Sequence, residues 1–127
     1  MTKETLIHEE LSRAVIGAFY DCYNELGFGF LEQIYAAALE LELQERGYRV
    51  EREARVPVTY KSRVLGLQRL DMIVDRKIVI EIKSTASLHP NATRQLFNYL
   101  KGTGLELGML LHFGREPHFL PVAFSRY

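Results

Sequence analysis

The feature that most constrains this chain is residues 70–83, LDMIVDRKIVIEIK, where apolar and polar positions alternate in two runs separated by a short polar break. Side chains of a strand point to opposite faces with period two. The stretch therefore predicts two strands joined by a tight turn. In the first, Leu70, Met72 and Val74 alternate with Asp71 and Ile73; in the second, Ile78, Ile80 and Ile82 alternate with Val79, Glu81 and Lys83. Burial then selects the register. Setting Asp71 opposite Glu81 places Leu70 against Ile82, Met72 against Ile80 and Val74 against Ile78, and leaves an odd-length loop of Asp75, Arg76 and Lys77. A slip of one residue would set Asp71 against Ile80 and bury a charge among aliphatic side chains, which is costly. The favoured register makes Asp71 and Glu81 neighbours, with Lys83 beside them. Like charges across a ladder repel. A divalent cation between them would remove that repulsion, and carboxylate oxygens suit Mg²⁺ or Mn²⁺.

The segments on either side predict helices and short strands. Residues 4–26 carry Leu11, Val15, Ala18, Phe19, Cys22 and Leu26 on one helical face, with Gly27 as the stop. A joint, GFGF at 27–30, leads into a second helix over 30–46, ended by Gly47. That helix has two apolar stripes, Leu31/Ile34/Ala38/Leu41 and Tyr35/Leu39/Leu43. Glu32 lies at the start of the second stripe. It can look inward, or it can serve its own helix by facing the N-terminal dipole and capping free N–H groups. Strands are predicted at 49–53 and 56–60, with Pro57 marking an edge or a strand start. Lys61, Ser62 and Arg63 make a turn, and Val64 leads toward the Asp71 strand, so that four strands in a row form a meander. After Lys83 comes a loop, STASLHP, then a third helix over 90–101 with Ser87 or His89 as its cap. Gln95, Leu96, Tyr99 and Leu100 share one face of it. Strands at 107–113 and 118–124 close the chain. The expected fold class is α/β with α+β character: a mixed central sheet flanked by helices.

Composition narrows the setting. The 127 residues predict a single domain, 1–127, with room for a substantial core. Sixteen cationic and sixteen acidic residues leave no net charge, which counts against a nonspecific polyanion binder unless a local basic patch exists. One cysteine, Cys22, excludes an internal disulfide and points to a reducing compartment. No apolar run approaches the ~20 residues of a membrane span, and MTKETLIHEE lacks a signal-peptide pattern. A soluble cytoplasmic protein without membrane contact is expected. The four histidines have no zinc-ligand spacing, and no phosphate-cradling glycine loop is present.

The spacing of Asp71, Glu81 and Lys83 resembles the core signature of the PD-(D/E)XK nuclease superfamily. Gly29, Glu32 and Tyr35 match the Gly-x-x-Glu-x-x-Tyr motif of the bacterial GxxExxY family within it. Glu25-Leu26-Gly27, the Tyr60-Lys61 turn, Gln95-Leu96 and 98–101 add to the likeness, which runs from about Ile16 to Phe113. The sequence departs from relatives at Leu70, Ala92 and Phe28, where they carry proline, histidine and proline. The resemblance implies a restriction-endonuclease-like core. It implies that Glu32, Asp71 and Glu81, with the carbonyl of Ile82, hold Mg²⁺ or Mn²⁺, and that Lys83 orients or activates water and stabilises phosphate charge. By the same resemblance Gln95 and Tyr99 support the site and contact nucleic acid, and Tyr35 is expected to bind substrate.

Two functional readings follow. In the first, the chain hydrolyses phosphodiester bonds in nucleic acid, DNA before RNA, with a metal that lowers the pKa of water and neutralises the scissile phosphate. In the alternative, the fold is catalytically silent and binds nucleic acid or a protein partner, a second copy included.

Overall fold

The computed structural model describes residues 8–125; residues 4–7 of the first predicted helix lie outside that range. The chain order is α1 (Glu9–Leu26), α2 (Glu32–Glu45), β1 (Val50–Arg52), β2 (Arg55–Tyr60), β3 (Arg63–Arg69), β4 (Met72–Val74), β5 (Ile78–Lys83), α3 (Ala92–Thr103), β6 (Leu107–Phe113) and β7 (Pro117–Ala123). Five strands form one mixed sheet in the order β1-β4-β5-β6-β7, and β2 and β3 form a separate two-stranded ribbon. Among the described residues only the β5–β6 pair is parallel, and its strands are joined by the α3 crossover.

The apolar alternation works as expected around the turn. Met72 pairs with Ile80 and Val74 with Ile78, which leaves the three-residue loop 75–77. Asp75 and Arg76 take left-handed backbone angles there, φ 50 and 53. Asp75 bonds the Arg49 backbone in both directions, N–H to carbonyl at 2.8 Å and Oδ1 from the amide at 2.7 Å. This ties the turn to the strand β1 that flanks β4.

Two expectations fail here. Leu70 does not pair with Ile82. The β4 ladder begins only at Met72, and Leu70 turns to the opposite side of the sheet, where it packs with Val56, Val79, Leu96, Tyr99, Leu100 and Leu110. Its amide bonds the Ala54 carbonyl at 2.7 Å instead. The meander is also wrong. β1 pairs directly with β4, and the two intervening strands leave the sheet as the β2–β3 ribbon. Alternation reports which residues share a face. It cannot report which neighbour a strand pairs with.

β5 lies third among five strands and is covered on both faces. On one side α1 and α2 contribute Val15, Phe19, Tyr35, Leu39 and Leu43 against Ile78, Ile80, Ile82 and Phe113. Phe19 meets Phe113 edge-on at 4.8 Å, and Tyr35 stacks on it at 4.0 Å. On the other side α3 covers Val79 and Leu110 through Leu96, Tyr99 and Leu100. The approach is closest at Gly108, where a Cβ would fall 2.7 Å from Leu96 Cδ1. Cys22 is buried in the first cluster, and burial together with Glu42 and Asp21 pushes its thiol up to about 12, so it acts as a core side chain.

Helix ends fall close to expectation. Gly27 (φ 71) ends α1, and its amide reaches the Tyr23 carbonyl at 2.8 Å. α3 starts two residues later than predicted and continues past Gly102 to a cap at Gly104 (φ 76); His89 Nδ1 accepts the Asn91 amide at 3.0 Å ahead of it. Of the two stripes on α2, Tyr35, Leu39 and Leu43 are buried, whereas Leu31, Ile34 and Leu41 are exposed. Among the described residues no helix is long and apolar enough to cross a membrane.

Burial sets a stability contrast. Ile80→Ala removes a fully buried side chain from the sheet and should cost about 2–5 kcal/mol. Leu41→Ala removes an exposed one and should stay within about 0.5 kcal/mol. Urea unfolding of the two variants checks this; equal losses would mean that Leu41 is covered in solution.

Candidate active site

The C-terminal half of β5 gathers most of the predicted site residues. Because β5 is central and α3 covers its second face, Glu81 is forced inside, with only 7% of its side chain exposed. Its Oε1 lies 3.5 Å from Lys83 Nζ, and its Oε2 is buried without a hydrogen-bond partner. Burial raises its pKa to about 7; Asp71 and Glu32 also raise it, and Lys83 acts in the opposite sense. Glu81 thus feels the charges of Asp71, Glu32 and Lys83.

Asp71 stands just before β4. Where the ladder stops, its Oδ2 accepts the Ile82 amide at 2.7 Å. The side chain thus completes the pairing that the backbone leaves undone, and the carboxylate is held at the end of β5. Glu32 opens α2, and its Oε2 accepts the Ser84 amide at 3.2 Å. The helix start is therefore fastened to the end of β5, and Glu32 is not merely capping its own helix. Ser84 Oγ completes the fastening by donating to the Phe30 carbonyl. Glu32, Asp71 and Ile82 line one hollow of about 160 Å³, together with Gln33, Arg52 and Arg69.

Lys83 opens onto a second hollow of about 340 Å³, whose wall includes Gln95, His89 and Asn91. Gln95 thus lines the Lys83 hollow from α3 and is exposed, whereas Leu96, Tyr99 and Leu100, grouped with it on one helical face, are buried. Tyr99, one turn on, is buried beneath this surface. Burial pushes its hydroxyl up to about 12, with Glu81 and Asp71 adding in the same direction and Arg69 opposing.

Tyr35 is a correction. It is fully buried; its hydroxyl donates to the Gly27 carbonyl and accepts the Phe30 amide at 3.2 Å. A side chain enclosed by Phe113 and Phe30 with its hydroxyl engaged at both ends has no access to substrate. It holds the 27–30 joint in shape so that Glu32 begins α2 at the right place.

Several site neighbours had no signal in the sequence. His112 is aligned with Lys83 across the parallel pair. It is buried, with Nε2 2.7 Å from the Thr85 carbonyl and Nδ1 unpartnered. A carbonyl partner requires the proton on Nε2, so His112 pins the loop that follows Lys83. Arg52 and Arg69 reach the carboxylate hollow from β1 and β3. Parallel pairing and the departure of the ribbon decide these positions, and neither is visible in local periodicity.

A metal ion would have to suit this donor set. Glu32, Asp71, Glu81 and the Ile82 carbonyl offer hard oxygens only, and the buried, unpartnered Glu81 Oε2 lacks the bond that such an ion would provide. The chemistry fits a divalent cation. Among the described residues, no three His, Cys, Asp or Glu side chains are gathered closely enough to hold one as they stand.

The family profile of the PD-(D/E)XK nuclease superfamily matches residues 9–121. The crystal structure of SSO0001 is similar in fold, with a TM-score of 0.58 and 22% sequence identity, over 98% of this chain and 63% of that one. This chain thus spans under two thirds of that protein's length. No curated protein sequence matches significantly.

Two outcomes are expected. Tyr35→Phe leaves the Gly27 carbonyl and the Phe30 amide without their partner and should cost about 1–2 kcal/mol, with nucleic-acid affinity unchanged; a loss of affinity without loss of stability would restore a substrate role. Glu81 sets a pH dependence. Its folded pKa, raised to about 7 from 4.5, means that the folded state holds a proton the unfolded state has released. Stability should be greatest below pH 4.5 on this account and fall as pH rises toward 7. Glu81→Gln should flatten that window in urea titrations, and an unchanged slope would contradict the assignment.

Proposed function

Because this chain belongs to the PD-(D/E)XK nuclease superfamily, we propose that it is a metal-dependent phosphodiesterase acting on nucleic acid, DNA in the first place, and that it is of the GxxExxY type. The observation that carries the reading is Glu81: a buried carboxylate with one unpartnered oxygen, Lys83 alongside, and its ionisation opposed by Asp71 and Glu32. A core strand serving packing alone would not hold such a group, since an unpaired buried carboxylate is destabilising.

In this reading Asp71, Glu81 and Glu32, with the Ile82 carbonyl, hold Mg²⁺ or Mn²⁺. Such an ion, when bound, lowers the pKa of water and neutralises charge at the scissile phosphate. The protein's own groups divide the remaining work. Glu81, free of its proton, accepts from the attacking water. Lys83, on the same face two residues on, donates to that water or to the negative charge developing on phosphate. Gln95, across the Lys83 hollow, contacts the nucleic-acid backbone, and Tyr99 supports the carboxylates from beneath. The Asp71 and Glu32 bonds to the Ile82 and Ser84 amides hold those carboxylates in place before substrate arrives.

The absence of a ready three-ligand group among the described residues favours a second reading, a catalytically silent module that binds nucleic acid or a protein partner. In both readings the setting is cytoplasmic, consistent with a single buried thiol.

Metal and cleavage assays separate the readings. Mn²⁺ at a hundredfold excess over Kd should stabilise wild type by about 2.7 kcal/mol. Asp71→Asn should keep apo stability and lose that gain. Lys83→Ala should keep the gain and lose cleavage by about 100-fold or more. Thermal melts and digestion of plasmid, single-stranded DNA and RNA, with EDTA as control, measure both. No metal shift and no cleavage in wild type would leave the binding module as the function.

A further inference from the structure

The β2–β3 ribbon is the one element that leaves the central sheet, and its composition differs from the rest of the chain. Residues 54–70 contain Arg55, Lys61, Arg63 and Arg69 and no Asp or Glu. The whole chain is neutral, so the remainder is net acidic and the ribbon is a local concentration of positive charge. Every residue of β3 is exposed, and on β2 only Val56 is buried, against α3. The ladder pairs Arg55 with Arg69 directly. Like charges facing each other across a ladder are destabilising on their own; within the protein Arg69 is offset by the exposed carboxylate of Glu53 at 3.7 Å, and an anion lying over both arginines would offset the pair. Arg69 also lines the hollow that holds Glu32 and Asp71, so the charged ribbon starts at the candidate active site and extends away from it.

The ribbon also carries exposed Val58, Tyr60, Val64, Leu65 and Leu67; Leu67 alternates in step with Arg69 and shares its face. The turn at its tip has Lys61 and Ser62 at φ 50 and 62, with the Lys61 ammonium over the Tyr60 ring at 5.5 Å. A protein-binding face would bring these apolar groups without an acid-free run of cations. A polyanion alone would need the cations without the apolar groups. A nucleic-acid duplex offers partners to both: phosphates for Arg and Lys, and base edges, including thymine methyls, for aliphatic side chains. Six residues of strand span about 20 Å, and the B-form major groove, about 12 Å wide, admits a two-stranded ribbon.

We infer that the β2–β3 ribbon is the arm with which this protein holds a DNA duplex, lying in the major groove with its cations on the flanking phosphates and leading the backbone to Asp71 and Glu81. The inference rests on the nuclease reading above and adds to it the form of the substrate and the element that grips it.

The test uses Lys61→Asn/Arg63→Gln, at the tip and away from the carboxylates; asparagine tolerates the left-handed angle at position 61. Binding of a fluorescent duplex is followed by anisotropy between 50 and 200 mM salt, in an Asp71→Asn background to prevent turnover. Removing two phosphate contacts should reduce the slope of log K against log salt by about 1.8 and weaken binding about tenfold or more at the lowest salt. Unchanged melting temperature confirms that the variant is folded. Wild-type affinity and slope in the variant, with wild-type nucleic-acid cleavage intact, would overturn the arm and leave the nuclease reading standing. Binding of single strands only would overturn the duplex. A wild-type dimer that Leu65→Glu splits would show that a second copy covers the ribbon, and would overturn the arm as well. Failure of the wild-type protein to bind or cleave any nucleic acid would overturn the nuclease reading and this inference together.

Discussion

The structure depends on the complete burial of β5. A strand third in a five-stranded sheet, with helices on both faces, gives every side chain except its last a dry environment. Ile78, Ile80 and Ile82 meet that environment at no cost, and their fit with Phe19, Leu39 and Phe113 makes the core on the α1/α2 side. Glu81 meets it at a large cost, because an ionised carboxylate loses its water there. The same packing that makes the fold therefore makes the perturbed carboxylate. Its unpartnered oxygen and raised pKa follow from its place in the sheet.

The site is assembled by contacts between elements far apart in the chain. Asp71 reaches Ile82, Glu32 reaches Ser84 fifty-two residues away, and Ser84 reaches back to Phe30. Each bond satisfies a polar group at the place where regular pairing stops, and each positions a carboxylate or the loop beside it. Tyr35 contributes from below by joining Gly27 to Phe30. His112 does the equivalent on the other flank by holding the Thr85 carbonyl. The motif residues are thus of two kinds. Some carry charge to the end of β5, and others, Tyr35 among them, hold the backbone that presents it.

The ribbon and the sheet separate two physical tasks. The sheet is apolar within and carries the carboxylates at one end. The ribbon is nearly bare of core contacts apart from Val56 and holds cations without acids. The two surfaces meet at Arg69, which lines the hollow that also holds Glu32 and Asp71. The zero net charge of the whole chain conceals this division.

Local alternation in residues 70–83 was enough to pair Met72 with Ile80 and to set the length of the loop; Asp71 meets β5 through its side chain, at the Ile82 amide, rather than through a ladder pair with Glu81. Helical period likewise grouped Tyr35, Leu39 and Leu43 on the face that is buried. Tertiary structure alone decided the rest. Leu70 turned away from Ile82 because a second core under α3 could take it. β1 took the place beside β4 because the ribbon left the sheet. Tyr35 lost any access to substrate because Phe113 arrived from the far end of the chain to cover it. His112 came beside Lys83 only through a parallel register. Periodicity describes a segment's own faces. Pairing, burial on the second face and the pKa of Glu81 depend on what arrives from elsewhere in the chain.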